Sequence, residues 1–388
     1  MGHFGRGPIR TAWLGLVFPA LALNYLGQGS LVLARPETVE NPFFLMAPGW
    51  GLLPLVLLAT AATIIASQAV ISGAFSLTRQ AVQLGLLPRL EIQHTSASLL
   101  GQVYMPRVNW TLLAAVLILV VLFRSSGALA SAYGIAVTGT MVVTSLLAFT
   151  VFRRAWGWAL PAVLAVLVPL LTIEIIFLGA NLAKLHDGGY VPLIIAGIVG
   201  TLMTTWVRGT SIVNAKARAA SVSLASLIGM LKKSRPGRAP GTAVFLTSDP
   251  DAAPAALMHN LKHNHVLHER NVIVTVTVAT TPRVADAQRT DLERLADGFW
   301  RMRLTFGYME TPNVPKALAL ARRDGLTFEM MSTSYFLNRR SFRITENSAM
   351  PTWRAGLFVS MTKAASDASG FYRLPSNRVL ELGQQLVV

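Results

Sequence analysis

The sequence predicts an all-α polytopic membrane domain of six transmembrane helices followed by a cytoplasmic α/β domain, and three observations carry that prediction. Of 388 residues, 53% are hydrophobic and only 13% are charged, well below the quarter or so of charged residues in soluble domains, and mean hydropathy is +0.50. Apolar runs recur at the roughly 20-residue length that crosses the hydrocarbon core. Beyond Arg208 no run is long or apolar enough to do so, and alternating β-branched segments replace them.

The predicted spans cover about 11–34, 49–78, 108–125, 131–152, 156–181 and 189–207. The third is short and reaches span length only with an added turn at each end. A membrane domain over 1–207, a basic juxtamembrane linker over 208–240 and an α/β domain over 241–388 follow. The first apolar run is too long for the h-region of a signal peptide and further spans come after it. Arg6 breaks the N-myristoylation pattern. The chain has no cysteine, which excludes disulfides and thiolate metal sites.

Lys and Arg counted in alternate loops set the orientation. Arg6, Arg10, Arg79, Arg89, Arg107, Arg153, Arg154, Arg208, Lys216 and Arg218 fall on one side, and only Arg35, Arg124 and Lys184 on the other. The N-terminus and the C-terminal domain are therefore expected in the cytoplasm of a cell whose inner membrane holds the chain. The net charge of +16 is read as orientation and surface charge, with no nucleic-acid partner expected. No acidic residue occurs from Gly188 to Ser248, while Lys232, Lys233, Arg235 and Arg238 add to the basic set. Such a segment suits either anionic headgroups or solvent.

Polar residues inside the spans are the candidate functional groups. In the second span, uncharged from Gly51 to Thr78, Ala62, Ala66, Ala69 and Gly73 repeat at helical spacing and predict a close helix contact. Ser67, Gln68, Ser72 and Ser76 accompany them. In the fourth span Tyr133, Thr138 and Thr140 lie beside Gly134 and Gly139. Two readings are open at both places: hydrogen bonding between helices, or oxygen-bearing walls that replace part of an alkali ion's water shell. The first span carries Pro19, Asn24, Gly27, Gln28 and Gly29 and is expected to loosen in its outer half. Glu174 is the only acidic residue in any span. An intramembrane carboxylate is costly enough to suggest proton coupling, against a neutral, hydrogen-bonded structural role.

In the C-terminal part, "GTAVFLTSD", "NVIVTVTVATT" and "TFEMMSTSYFL" read as strands, and "PKALALARRDG" and "PTWRAGLFVSMTKAASD" as helices. His259, His263, His265 and His268 have partial metal-site spacing, but no nearby carboxylate or thiolate completes a ligand set, so a structural role is expected. Phosphate loops, nucleophile elbows and catalytic carboxylate pairs are absent from the sequence, so neither an enzyme, a catalytic residue, a cofactor nor a bound metal is expected.

"MGHFG", "FPALALNYLGQGSLVL", "ENPFFLMAP", "ATIIASQAVISGAFSLTRQAVQLGLLPRLEIQHTS", "GQVYMPRVNW", "AYGIAVTGTM", "GANLAKLHDGGYVPL" and "LKHNHVLHERNV" closely resemble the Kup/HAK/KT family of potassium-uptake permeases. The resemblance implies proton–potassium symport and a LeuT-like core of inverted repeats, of which this chain would be the second half, spans seven to twelve plus the cytoplasmic domain. On that footing the chain is a C-terminal fragment that does not transport alone. Its expected partners are potassium, the proton, the bilayer and the missing N-terminal half, with a homodimer left open. Ser67, Gln68 and Ser72 would then wall a cation path. The alternatives are another cation or amino-acid permease of the same superfamily, or a membrane-tethered cytoplasmic sensor module.

Overall fold

The computed structural model describes residues 6–94, 103–234, 236–326, 328–343 and 348–387. Arg235 and residues 95–102 of the loop after the second span therefore lie outside the described residues. Among the described residues six helices are long and apolar enough to cross a membrane: α1 (Gly7–Ala34), α2 (Gly49–Gln83), α3 (Pro106–Phe123), α4 (Ser126–Ala155), α5 (Leu160–Leu182) and α6 (Tyr190–Ala219). Large side chains such as Leu23, Ile65 and Val121 stay more than half exposed on them. Only hydrocarbon solvates so much apolar surface without penalty, and only structures that pair their own backbone survive there.

Hydroxyls inside these helices bond back to their own backbone. Thr60, Thr63, Thr78, Thr138, Thr140, Thr144 and Thr172 each donate to the carbonyl four residues earlier, at 2.7–2.8 Å. The proton is thereby satisfied where no water is available, and the oxygen lone pairs remain free. The loosening expected in the outer half of α1 falls earlier, in a π-helical stretch at Trp13–Val17. Pro19 supplies the reason, because it has no N–H for the carbonyl one turn before it.

The chain divides into two compact units, 1–78 with 92–109, and 79–91 with 110–388. Within the first, Phe75 meets Tyr104 edge-on at 5.9 Å, Met105 is fully buried, and Gly27 lets Met46 approach so closely that a Cβ there would lie 2.9 Å from its sulfur. Among the described residues of this unit no neighbour covers the small-residue face of α2 at Gly73. Small residues permit a close contact but do not compel one.

In the second unit, α7 (Leu224–Ser234) leads into a six-stranded sheet. Its strands are β1 (Gly237–Thr247), β2 (Val266–Ala279), β3 (Thr290–Ala296), β4 (Phe299–Gly307), β5 (Thr333–Arg343) and β6 (Val379–Val387). Their spatial order is β3-β4-β2-β1-β5-β6, all neighbours being parallel except the β3–β4 pair. Parallel strands need both faces covered, and their side chains alternate accordingly. Val244, Val272 and Val274 point to one core with α9 (Val314–Leu320). Ala243, Phe245 and Ile273 point to the other, under α7 and α8 (Ala255–Asn264). A third cluster joins Val213 of α6 to Met350 and to Phe358 of α10 (Thr352–Lys363).

The assignment of the membrane part as the second half of a LeuT-like fold is corrected. A half-fold is recognised by its relation to a second set of helices, and the described residues provide six apolar helices in two compact units. The fold is six apolar helices followed by an α/β domain.

Candidate functional site

Glu174 lies on α5, facing α4, and is only 8% exposed. The hydroxyl of Ser145 on α4 donates to its Oε1 at 2.9 Å, while Oε2 is buried without a partner among the described residues. Buried polar atoms ordinarily have a partner, so the unpartnered oxygen is the place where a donor or a cation would satisfy it. Thr138 is buried on α4 with Ala132, Ile135 and Ser145. It lies two helical turns from Ser145 and therefore on the same face. Nearby, Gly134 accommodates the Asn181 amide of α5, which would collide with any Cβ at that position.

The other predicted residues are placed differently. Tyr133 is 70% exposed, and Thr140 is exposed with its hydroxyl bonded to the Ala136 carbonyl. In the first unit Ser67, Gln68 and Ser72 are exposed on α2, and none of their side chains is hydrogen-bonded to another described residue. Gln68 and Ser72, four residues apart, share one helix face. The geometry thus gathers Thr138, Ser145 and Glu174 onto one helix contact and does not draw Tyr133 or Thr140 into it.

Histidine placement follows the fold. His259 and His263 stack on α8 at 5.9 Å, His265 caps that helix in the left-handed conformation, and His268 packs edge-on against Phe336. Burial holds the His268 imidazole below its usual pKa. Among the described residues no group of three metal-ligating side chains comes together.

A second polar constellation was not anticipated from sequence. At the C-terminal end of α2, Arg79 donates to the Met309 carbonyl at 2.7 Å and to Thr311 at 2.9 Å, and the Gln83 amide donates to the Glu310 carbonyl. Arg89 lies over the Phe371 and Tyr372 rings, at 5.4 and 5.0 Å. The loop that receives these contacts is braced by Glu310, whose carboxylate takes a two-pronged Arg289 guanidinium at 2.8 and 3.1 Å and the Gly307 amide at 2.6 Å. The available signal was that Arg79, Gln83 and Arg89 sit inside one of the long quoted stretches. As isolated charges Arg79 and Arg89 carried only orientation, and Gln83 carried no signal.

These features define a class: a multi-pass membrane protein whose later apolar helices pack on an α/β domain and enclose a carboxylate. The chain belongs to the potassium-transporter family. Residues 1–211 match the K+ potassium transporter integral membrane domain, and residues 240–388 match the K+ potassium transporter C-terminal domain. It is 55% identical over 388 residues to the probable potassium transport system protein Kup 3 of Bradyrhizobium sp. strain BTAi1, covering all of this chain and 61% of that protein. A probable Kup 3 of Rhizobium etli is 54% identical over 391 residues, 62% of its length, and a probable Kup 1 of Agrobacterium fabrum is 56% identical over 391 residues, 61% of its length. The chain thus spans about three-fifths of the curated relatives it matches. Those relatives are named as transport proteins, and the chain is a transport-family protein, not an enzyme. The family match across both parts also replaces the half-fold assignment, since residues 1–211 match the integral membrane domain and residues 240–388 the C-terminal domain.

Proposed function

We propose that the chain serves potassium uptake across the cell membrane, with potassium entry coupled to a proton that binds at Glu174. The observation that carries this reading is the buried carboxylate with one oxygen on Ser145 and the other unpartnered. Ser145 donates to the carboxylate in either protonation state, so a proton is exchanged at Oε2 without dismantling the contact. Ser67, Gln68 and Ser72 on α2, and separately Tyr133, Thr138 and Thr140 on α4, are the proposed potassium-facing oxygens. Their back-bonded threonines present lone pairs and no spare proton, which suits a cation. The division into a membrane domain over 1–207, a basic connection over 208–240 and an α/β domain over 241–388 belongs to the same proposal. So does a cytoplasmic location for the N-terminus and the α/β domain, on the lysine and arginine asymmetry.

The test is rubidium uptake against pH and concentration in proteoliposomes. It is run with the chain alone and with the chain co-expressed with the part of a Bradyrhizobium relative that it does not span. Glu174→Gln keeps shape and hydrogen bonding but removes the proton, and is expected to flatten the pH profile while uptake persists. Gln68→Leu is expected to raise the apparent rubidium constant equally at every pH. Unchanged profiles for both variants overturn these assignments.

A further inference from the structure

A groove of about 680 Å³ opens where α6 leaves its apolar stretch, and α10 of the α/β domain lies against it. Its apolar wall is made by Leu86, Met203, Val207 and Ile212, and its polar end by Arg208 and Arg354. Arg354 is held in place by the α6 hydroxyls, Nε on Thr205 at 3.1 Å and Nη2 on Thr204 at 3.0 Å. That leaves its remaining nitrogen without a partner among the described residues. Arg208 is exposed and makes no hydrogen bond or ion pair to any described residue. Among the described residues none that lines the groove is acidic, and the sequence has no acidic residue from Gly188 to Ser248. Beside the groove, Trp353 is 61% exposed with the Arg354 guanidinium 5.9 Å from its ring. An exposed tryptophan next to arginine is the pairing found at the headgroup level of a bilayer. Gly209 admits the Phe358 ring against the α6 backbone, which seats α10 across the end of the span.

We propose that this groove is a binding site for an anionic phospholipid, its phosphate held between Arg208 and Arg354 and an acyl chain laid along Met203, Val207 and Ile212. Two arginines with no carboxylate among the described lining residues suit an anion. The apolar wall at the end of a span-length helix selects a lipid over a small soluble ion, because it is solvated by hydrocarbon and not by water. Basic pockets at the ends of membrane helices hold anionic headgroups for the same reason. A lipid bound there would bridge α6 and α10 and so tie the α/β domain to the membrane surface. The inference rests on α6 crossing the bilayer and does not depend on which ion the protein carries.

The experiment uses the full chain in neutral detergent, with phosphatidylglycerol or phosphatidylcholine added in mixed micelles. Retained lipid is counted by native mass spectrometry and the melting temperature is recorded alongside. Phosphatidylglycerol is expected to be retained and to raise the melting temperature, with phosphatidylcholine doing neither. At about five-fold per arginine, Arg208→Gln is expected to weaken retention about five-fold and the Arg208→Gln/Arg354→Gln pair about 25-fold. Because Arg208 is exposed and makes no hydrogen bond or ion pair to a described residue, its variant should melt like the parent in the absence of phosphatidylglycerol, so lost retention is not lost folding. Equal retention of phosphatidylcholine, or undiminished retention by Arg208→Gln, overturns the proposal. Displacement of the lipid by inorganic phosphate at equal concentration also overturns it and assigns the groove to a soluble anion.

Discussion

Replacing Glu310 with glutamine isolates the brace beneath the loop that grips the C-terminal end of α2. The carboxylate accepts both Arg289 nitrogens, at 2.8 and 3.1 Å, together with the Gly307 and Val284 amides. An amide keeps one acceptor oxygen and turns an N–H₂ toward groups that are themselves donors. Hydrogen bonds to charged groups contribute about 1.5–3 kcal/mol, and with side-chain exposures of only 11% and 19% solvent screens this pair little. Arg289 would keep Asp286 at 3.0 Å and the Phe306 ring at 5.0 Å, so the loss stays below that of stranding a buried charge. The expected cost is about 2–3 kcal/mol. For a domain of this size that lowers the melting temperature by roughly 5–10 °C.

The effect should also depend on pH in a defined direction. Burial pushes the Glu310 carboxyl up, but the hydrogen bonds from Arg289 and the Gly307 amide outweigh it, and the group sits below its ordinary value of 4.5. A depressed carboxylate stabilises fully above its unfolded pKa and loses that contribution as pH falls through the native one. Thermal unfolding of the α/β domain, followed by tryptophan fluorescence in the detergent-solubilised chain, should show the full gap between Glu310→Gln and the parent at pH 7. That gap should close in acid below pH 4.5. A Glu310→Gln melting temperature within about 1 °C of the parent at pH 7, or a gap that persists undiminished in strong acid, refutes the reasoning.

Further outcomes are expected elsewhere. Gly209→Ala places a Cβ against the buried Phe358 ring and should destabilise the α6–α10 contact by about 1–3 kcal/mol, read as a lower melting temperature and faster proteolysis around α10; unaltered melting would contradict it. His268, its pKa lowered by burial, confers stability that is complete above about pH 6.5 and declines as pH falls from there toward its native pKa. His268→Gln should therefore flatten the melting profile between pH 7 and 5, a window separate from that of Glu310. Since the chain has no cysteine, orientation can be read from single cysteines. Lys184→Cys should react with an impermeant maleimide on intact cells and Asp297→Cys only after permeabilisation, the reverse pattern refuting the assigned topology.

Much of the architecture was legible in the sequence because it is written locally. Helix length and apolar content reveal candidate spans, and buried parallel strands such as Val272–Val274 are apolar on both faces. The strands that escaped notice, β3, β4 and β6, carry their charges within the strand. Arg301 and Arg303 of β4 face Glu293 and Asp291 of β3 across the pair, and β6 lies at the sheet edge with Glu381 and Gln384. A solvated or cross-paired face erases the hydrophobic signal until the partner strand is known.

The site divides along the same line. Sequence by itself marked Glu174 as anomalous, since any carboxylate within an apolar run is expensive wherever it points. That Ser145, 29 residues away on another helix, is the group that meets it, and that Thr138 shares their face while Tyr133 and Thr140 do not, was decided by the packing of α4 on α5. In the same way Arg79, Gln83 and Arg89 are individual polar residues in the chain, and only the tertiary structure gives them the 307–311 loop and the Phe371–Tyr372 rings as partners. Cost of burial is a property of one residue and its neighbours in sequence. Partnership is a property of two elements brought together by the free energy of the whole fold.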